Sequence, residues 1–485
     1  MSIESLKDKT IKGAGWSAAD AFLGQGVSFI VGLVLARLLS PEDYGLIGIV
    51  MIFVIVLNGV VDSGFSTAII RKQDAVDDDY NTMFYTNLFC SVILYLGLTF
   101  SSSLIADFFA REELRRLLPT MGLILIINAM SLTQYTILTK RIDFKTKTKV
   151  SFISSVTSGI VGIFCAYIGL GVWALVVQKI LQQTLYTIFL WIFNKWWPSL
   201  RFSMISFRYM WGFGWKLLLS GLLNNIWNQL YQVVVGKYYN PATLGQYTRA
   251  KDYARIFSEN FTMIVQRVSY PVLSGIQNDE ERMVAAYRKV IKVVMFITPI
   301  CMFFIGAISE PLILCLIGKK WLEASTYLPL ICISMSLFPL HAINLNMLQV
   351  QGRSDIILYL EFIKKIISIG PICLGIFVGI KAMLIGLIIT GVIAYFMNSY
   401  YTGKKLHYST WMQIKDIYFS FMLATIIAVS VYFIKYLPIS CCAVLAIQFL
   451  VGAALFFILC ETTRPIEYLE FKMIAIRILD KMKRK

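Results

Sequence analysis

Apolar residues come in runs of about 20 to 28, each closed by a short cluster of charged residues, glycine or proline, and this pattern continues almost from end to end. A helix rises about 1.5 Å per residue, so each run can cross a hydrocarbon layer of about 30 Å. The runs predict spans at 14–39, 44–70, 80–106, 117–139, 150–169, 171–194, 209–236, 245–271, 290–317, 325–350, 356–379, 380–403, 414–436 and 438–461. The fold class that follows is an all-α polytopic membrane protein with about 14 transmembrane helices. The first run exceeds the apolar core of a signal peptide, about 7 to 15 residues, and is expected to stay as a helix.

Composition narrows the picture. Of the 485 residues, 58% are apolar and 15% charged, and the mean hydropathy is +0.69. Those values exclude a single soluble core, a disordered chain and a disulfide-stapled secreted domain. A formal charge of +17 would suit a nucleic-acid binder, but its placement argues otherwise. Lys140, Arg141, Lys145, Lys147 and Lys149 share one side of the alternating spans with the ending Lys481, Lys483, Arg484, Lys485, while the opposite turn Gly169-Leu170-Gly171 is uncharged. Basic residues are retained on the cytoplasmic side of short loops, so both termini are expected in the cytoplasm and no nucleic acid is expected as partner. The nine cysteines all lie in apolar runs without a CxxC pair and are expected to act as plain hydrophobes. His341 and His407 stand far apart, and neither a metal nor a cofactor is expected.

The chain echoes itself at a separation of about 200 residues. Gly13-Ala14-Gly15-Trp16 recurs as Gly212-Phe213-Gly214-Trp215, and Arg37, Pro41 and Gly45 recur at the same spacing as Lys237, Pro241 and Gly245. Arg141-Ile142-Asp143 is echoed by Arg353-Ser354-Asp355. We read residues 1–200 and 205–403 as two six-helix lobes, followed by two additional helices over 404–461 and a basic amphipathic tail over 462–485 on the inner leaflet. An even helix number per lobe makes this a parallel repeat about an axis along the membrane normal. Such an architecture suits transport by rocking around a central site.

Ionisable residues inside a membrane cost about 2.5 to 3.5 kcal/mol each on insertion scales, so their positions are where function is sought. On the eighth span Arg249, Lys251, Asp252, Arg255, Glu259, Thr262 and Gln266 share roughly half of a helical wheel, with Ala250, Ala254, Phe257, Phe261, Ile264 and Val268 opposite. Cations punctuated by two carboxylates suit an anionic substrate that must be held without being trapped. The seventh span carries Lys216, Ser220, Asn224, Asn228 and Gln232 at every fourth position. Lys179 with Gln178, Gln182 and Gln183, and Glu361 with Lys364 and Lys365, fall near mid-bilayer. Asp20, Asp62, Asp252 and Glu259 are the acids placed to bind a coupling proton or Na⁺.

The run Ala36-Arg37-Leu38-Leu39-Ser40-Pro41-Glu42-Asp43-Tyr44-Gly45, followed by Asp62-Ser63-Gly64-Phe65-Ser66, resembles the polysaccharide transporter (Wzx-type oligosaccharide flippase) branch of the multidrug/oligosaccharidyl-lipid/polysaccharide exporter superfamily. Leu244 to Ala250 and Tyr270 to Gln277 are similar to the second-lobe pattern of the same family. The resemblance implies a bacterial inner-membrane protein that flips a polyprenyl-diphosphate-linked oligosaccharide by alternating access, within membrane lipid and alongside a polysaccharide polymerase machinery. It also implies a cationic central cavity for the diphosphate and sugars. The matching candidates are Arg249, Lys251 and Arg255, with Lys179, Lys216 and Lys364 chosen on depth and Asn224, Asn228 and Gln232 as polar lining.

Three other readings compete. A membrane-embedded glycosyltransferase or polymerase needs a catalytic carboxylate or a sizeable loop at one face, and the longest outward loop here, near Asp107–Arg116, has about ten residues, short of the about 12 to 15 above which functional loops are usual. A drug or cation antiporter calls for an acidic cavity, whereas the intramembrane balance is basic. A lipid II flippase-like role shares the two-lobe architecture.

Overall fold

The computed structural model describes residues 23–276, 279–470 and 472–473, and the helices account for nearly all of them. Asp20 and the Gly13–Trp16 motif lie outside the described residues, as does most of the tail.

The chain divides into two compact units, residues 1–245 and 246–485. In the first, α1 (Leu23–Leu38) leads to α2 (Pro41–Asp62), α3 (Phe65–Arg71), α4 (Asp77–Phe109), α5 (Leu114–Lys140), α6 (Phe144–Tyr167), α7 (Val172–Asn194) and α8 (Met204–Tyr238). Antiparallel neighbours α4 and α5 pack together, as do α6 and α7, while α2 lies against α5 and α8. This contact boundary falls about one helix later than the repeat boundary read from sequence, because α8 packs on α2, α3 and α4.

The second unit takes in most of α9 (Pro241–Gly275), then α10 (Glu280–Ala307), α11 (Ser309–Leu316), α12 (Leu322–Met335), α13 (Phe338–Val350), α14 (Ser354–Ile367), α15 (Ile369–Phe377), α16 (Ile380–Leu406), α17 (Thr410–Tyr432) and α18 (Cys441–Thr463). Its core gathers Tyr287, Met295, Met347, Tyr395, Tyr408 and Ile417, with a second cluster of Phe296, Ile427, Val431 and Cys460. The C-terminal pair is part of this unit, since α17 packs along α10, and α18 against α17 and α11.

Several single spans expected from the pattern are broken helices, for a local reason. The helices α10, α12 and α14 end at Ala307, Met335 and Ile367, each four residues before a proline, Pro311, Pro339 and Pro371. Proline has no N–H to return to the carbonyl four residues back, and its ring crowds that carbonyl, so the ladder stops there. The break after α2 is different: Ser63 and Gly64 both take left-handed backbone (φ 48° and 71°), and the chain re-enters helix at Phe65. At the other end of α2, Ser40 and Asp43 form a reciprocal capping box with Pro41 in the first turn.

Among the described residues, ten helical segments are long and apolar enough to span a membrane by composition. The helices α8, α9 and α14–α15 are absent from that set, and α8, α9 and α14 carry the expected polar stripes. The two ends of the Arg-x-Asp echo also differ. Asp143 caps α6 by accepting from the Thr146 N–H and Arg141 reaches Asn194, whereas Arg353 forks onto Asp355 at 3.0 and 2.9 Å. That fork holds the Asp355 carboxyl below the usual carboxylate range.

The cysteine reading needs one correction. Cys315 and Cys442 are disulfide-bonded, joining α11 to α18 with Cα atoms 5.5 Å apart. Two cysteines 127 positions apart give no spacing signal; only the packing of α11 on α18 brings them together.

Candidate functional site

Helix α9 is amphipathic in the way its sequence predicts. Ala250, Tyr253, Ala254 and Ser258 are buried, and the Ser258 hydroxyl donates to the Met335 carbonyl at 2.9 Å, fixing this face on α12. At its start the Gln246 amide donates to the Lys320 carbonyl and accepts from the Ala324 N–H, at 2.7 and 3.0 Å. Phe257, expected on the apolar side, is exposed.

On the charged face Asp252 stands between Arg249 and Arg255 at 3.9 and 3.8 Å, and Glu259 lies 3.7 Å from Arg255. All three separations exceed hydrogen-bond range, so these are loose ion pairs. Arg255, Asp252 and Glu259 keep about half of their side-chain surface exposed (51%, 46% and 52%). Exposed pairs of this kind contribute about 0 to 1 kcal/mol, so an incoming dianion could exchange with the carboxylates at little cost. Lys251 is half-buried and makes no ion pair among the described residues.

Lys216, Ser220, Asn224 and Asn228 are exposed along one rail of α8, and Gln232 is half-buried at its end. Where α8 meets α2 the fit is close. A Cβ on Gly59 would stand 2.7 Å from the Asn225 amide, and one on Gly214 would press on the Ser63 carbonyl at 2.5 Å. Gly214 therefore lets α8 cross the break in α2, whereas a Cβ on Gly212 would meet nothing within 4 Å, a division of roles the repeat motif alone does not reveal.

A connected amide network runs through the first unit. Asn128 donates to Asn58 at 2.9 Å and Gln183 donates to Asn128 at 3.2 Å, while the neighbouring Gln182 makes a separate bond to Ser155 at 3.0 Å. Lys179 is half-buried on the same helix, α7, as these glutamines. One turn beyond Asn58, Asp62 sits at the end of α2 and accepts from the Ser66 hydroxyl and, at 3.4 Å, from the Ser66 N–H. No cation pairs with Asp62 among the described residues, so its carboxylate relies on hydroxyl and amide donors alone.

The weaker depth-based candidates separate. Lys179, Lys216 and Lys364 lie on three different helices, and Lys364 is held by Glu361 three residues before it. Of the two lysines near Glu361, Lys364 at i+3 makes the ion pair. A charged cluster escaped the sequence reading: Arg288 and Lys292 of α10 both pair with the buried Asp416 of α17, which also accepts from Tyr408. Its members lie about 125 residues apart, beyond any local spacing rule.

Residues 34–326 match the family model described as "Polysaccharide biosynthesis protein", more than half of the chain. The chain belongs to this family. Among curated relatives it is similar to the succinoglycan biosynthesis transport protein ExoT of Rhizobium meliloti (strain 1021), 24% identical over 76% of this chain and 75% of the relative. It is similar also to the lipopolysaccharide biosynthesis protein WzxC of Escherichia coli (strain K12), 23% identical over 76% of each. Among solved structures, the lipid II flippase MurJ in an inward closed conformation aligns with a TM-score of 0.71 at 17% identity, over 93% of this chain and 98% of that one. At that identity the likeness concerns the fold, and it makes this polysaccharide biosynthesis family member a polytopic helical membrane protein of that architecture.

Proposed function

We propose that this protein flips a polyprenyl-diphosphate-linked oligosaccharide repeat unit, of a lipopolysaccharide, capsule or exopolysaccharide, from the inner to the outer leaflet of a bacterial cytoplasmic membrane by alternating access. The observation that carries the reading is the charged face of α9 within a chain of this family: Arg249, the loosely paired and half-exposed Arg255, and Lys251, which pairs with no carboxylate among the described residues. A diphosphate offers two anionic groups with bridging oxygens, and guanidinium and ammonium groups receive these by charge-assisted hydrogen bonds. As the diphosphate leaves, Asp252 and Glu259 take back the arginines, which keeps the site from becoming a trap.

The sugars would meet amide groups, Asn224, Asn228 and Gln232 on α8, while the polyprenyl chain stays in lipid beside α17 and α18. Lys179, Lys216 and Lys364 rank lower, the last because Glu361 occupies it. Among acids proposed to couple transport to an ion, Asp62 ranks first, since Asp252 and Glu259 already neutralise arginines. We place both termini in the cytoplasm and the two repeats over 1–200 and 205–403, with a polymerase machinery receiving the flipped unit. The protein carries substrate across the membrane and leaves its covalent bonds intact, so no catalytic residue is assigned.

The test is surface polymer in cells whose only copy carries Arg255→Ala at normal protein level. The reading expects polymer to be lost and lipid-linked repeat units to accumulate; polymer at the normal level removes Arg255 from the site.

A further inference from the structure

A groove of about 820 Å³ opens in the second unit between the first half of α10 and the segment following α18. Its long wall is one face of α10, and the facing wall includes Ile466, Glu467 and Glu470. Lys289 and Glu470 pair at 2.7 Å and tie the two walls together.

The chemistry of the groove changes in a fixed order along α10. At the start of the helix stand Glu280 and Glu281, with Glu467 on the facing wall; none of the three makes an ion pair among the described residues. Two turns further on come Arg288 and Lys292, which share the single carboxylate of Asp416, at 2.7 Å for an Arg288 Nη2 hydrogen bond and 3.3 Å for Lys292. Two cations on one carboxylate leave a surplus of one positive charge at that level. From Val293 onward the helix is apolar, within the span expected from sequence at 290–317. Carboxylates, then cations, then hydrocarbon is the complement of amine, then phosphate, then acyl chain.

We propose that this groove holds an aminophospholipid, its phosphate on Arg288 and Lys292, its ammonium among Glu280, Glu281 and Glu467, and an acyl chain along Val293. Glu281 and Arg288 are seven residues apart, about 10 Å along the axis, a gap that their long side chains close from both ends. A headgroup without an amine would set its phosphate against the same cations but leave three carboxylates facing no positive charge. The site therefore selects for the zwitterion, and this holds whatever substrate the protein moves.

Native mass spectrometry of the delipidated full-length protein, given either synthetic phosphatidylethanolamine or phosphatidylglycerol with matched chains, tests the assignment. Phosphatidylethanolamine is expected to be retained about fivefold better, the equivalent of about 1 kcal/mol of exposed charge pairing. The double variant Glu281→Gln, Glu467→Gln touches neither Asp416 nor its cations, and is expected to abolish the preference while keeping the fold. Equal retention of the two lipids by the unaltered protein, or an unchanged preference in the double variant, overturns the proposal. So does full displacement of phosphatidylethanolamine by excess inorganic phosphate, which would make this a simple phosphate site.

Discussion

A Cβ placed on Gly45 would run into the carbonyl of Pro241, and a Cβ placed on Gly245 would run into the carbonyl of Pro41. The two contacts are the same contact seen from either copy of the repeat, since Pro41–Gly45 and Pro241–Gly245 are the echoed positions. The first turns of α2 and α9 thus meet backbone to backbone, an approach only glycine permits.

Gly45→Ala and Gly245→Ala should each destabilise the protein by about 1 to 3 kcal/mol, the usual cost of forcing volume into a packed contact. Because both substitutions spoil one crossing, the double variant should fall short of the sum. Thermal unfolding of the purified protein in detergent reads both effects; strictly additive losses would mean two independent sites.

The Pro–Gly echo shows how far the sequence reaches. Helix class and the polar faces of α8 and α9 were legible because each follows from a local pattern, apolar run length for the class and a period of 3.6 residues for the faces. The breaks at Ala307, Met335 and Ile367 each lie four residues upstream of a proline, but Pro299 and Pro329 are carried inside α10 and α12, so a proline alone does not name the break. What stayed hidden is pairing between distant helices. Asp416 with Arg288, Cys315 with Cys442, and the amide chain from Asn58 through Asn128 to Gln183 depend on packing partners that no local pattern names.

The turn after α2 gives a second expectation. Gly64 holds φ at 71°, and a Cβ there would also stand 3.0 Å from the Gly214 carbonyl. Gly64→Ala should cost about 1 to 2 kcal/mol from the left-handed backbone alone. The same melting measurement checks it, with Gly97→Ala on α4, where a Cβ meets nothing within 4 Å and alanine is the better helix former, as the comparison that should lose no stability.

Asp62→Asn keeps an acceptor for the Ser66 hydroxyl and removes the charge, so the protein should fold and reach the membrane normally. Under the coupling role proposed above, its transport should become indifferent to an imposed proton or Na⁺ gradient. Gradient dependence equal to that of the unaltered protein would move coupling away from Asp62.

With Cys315 and Cys442 joined, two thiols should resist alkylation in denatured, unreduced protein and become reactive after reduction. Closing a long loop commonly stabilises by about 2 to 4 kcal/mol, so Cys315→Ser should lower the melting point of the unreduced protein. A full set of reactive thiols before reduction would show that α11 and α18 are held by packing alone.

On the function proposed above, the charged face of α9 receives the diphosphate of a lipid-linked oligosaccharide. Purified protein in liposomes containing such a lipid, scored by an impermeant sugar-modifying reagent, tests it most directly. Exposure of the sugar should depend on the protein and fall at least tenfold in Lys251→Ala and Arg255→Ala, the loss of about 1.4 kcal/mol or more for a charged contact. Exposure undiminished in both variants, with both proteins folded, would contradict it.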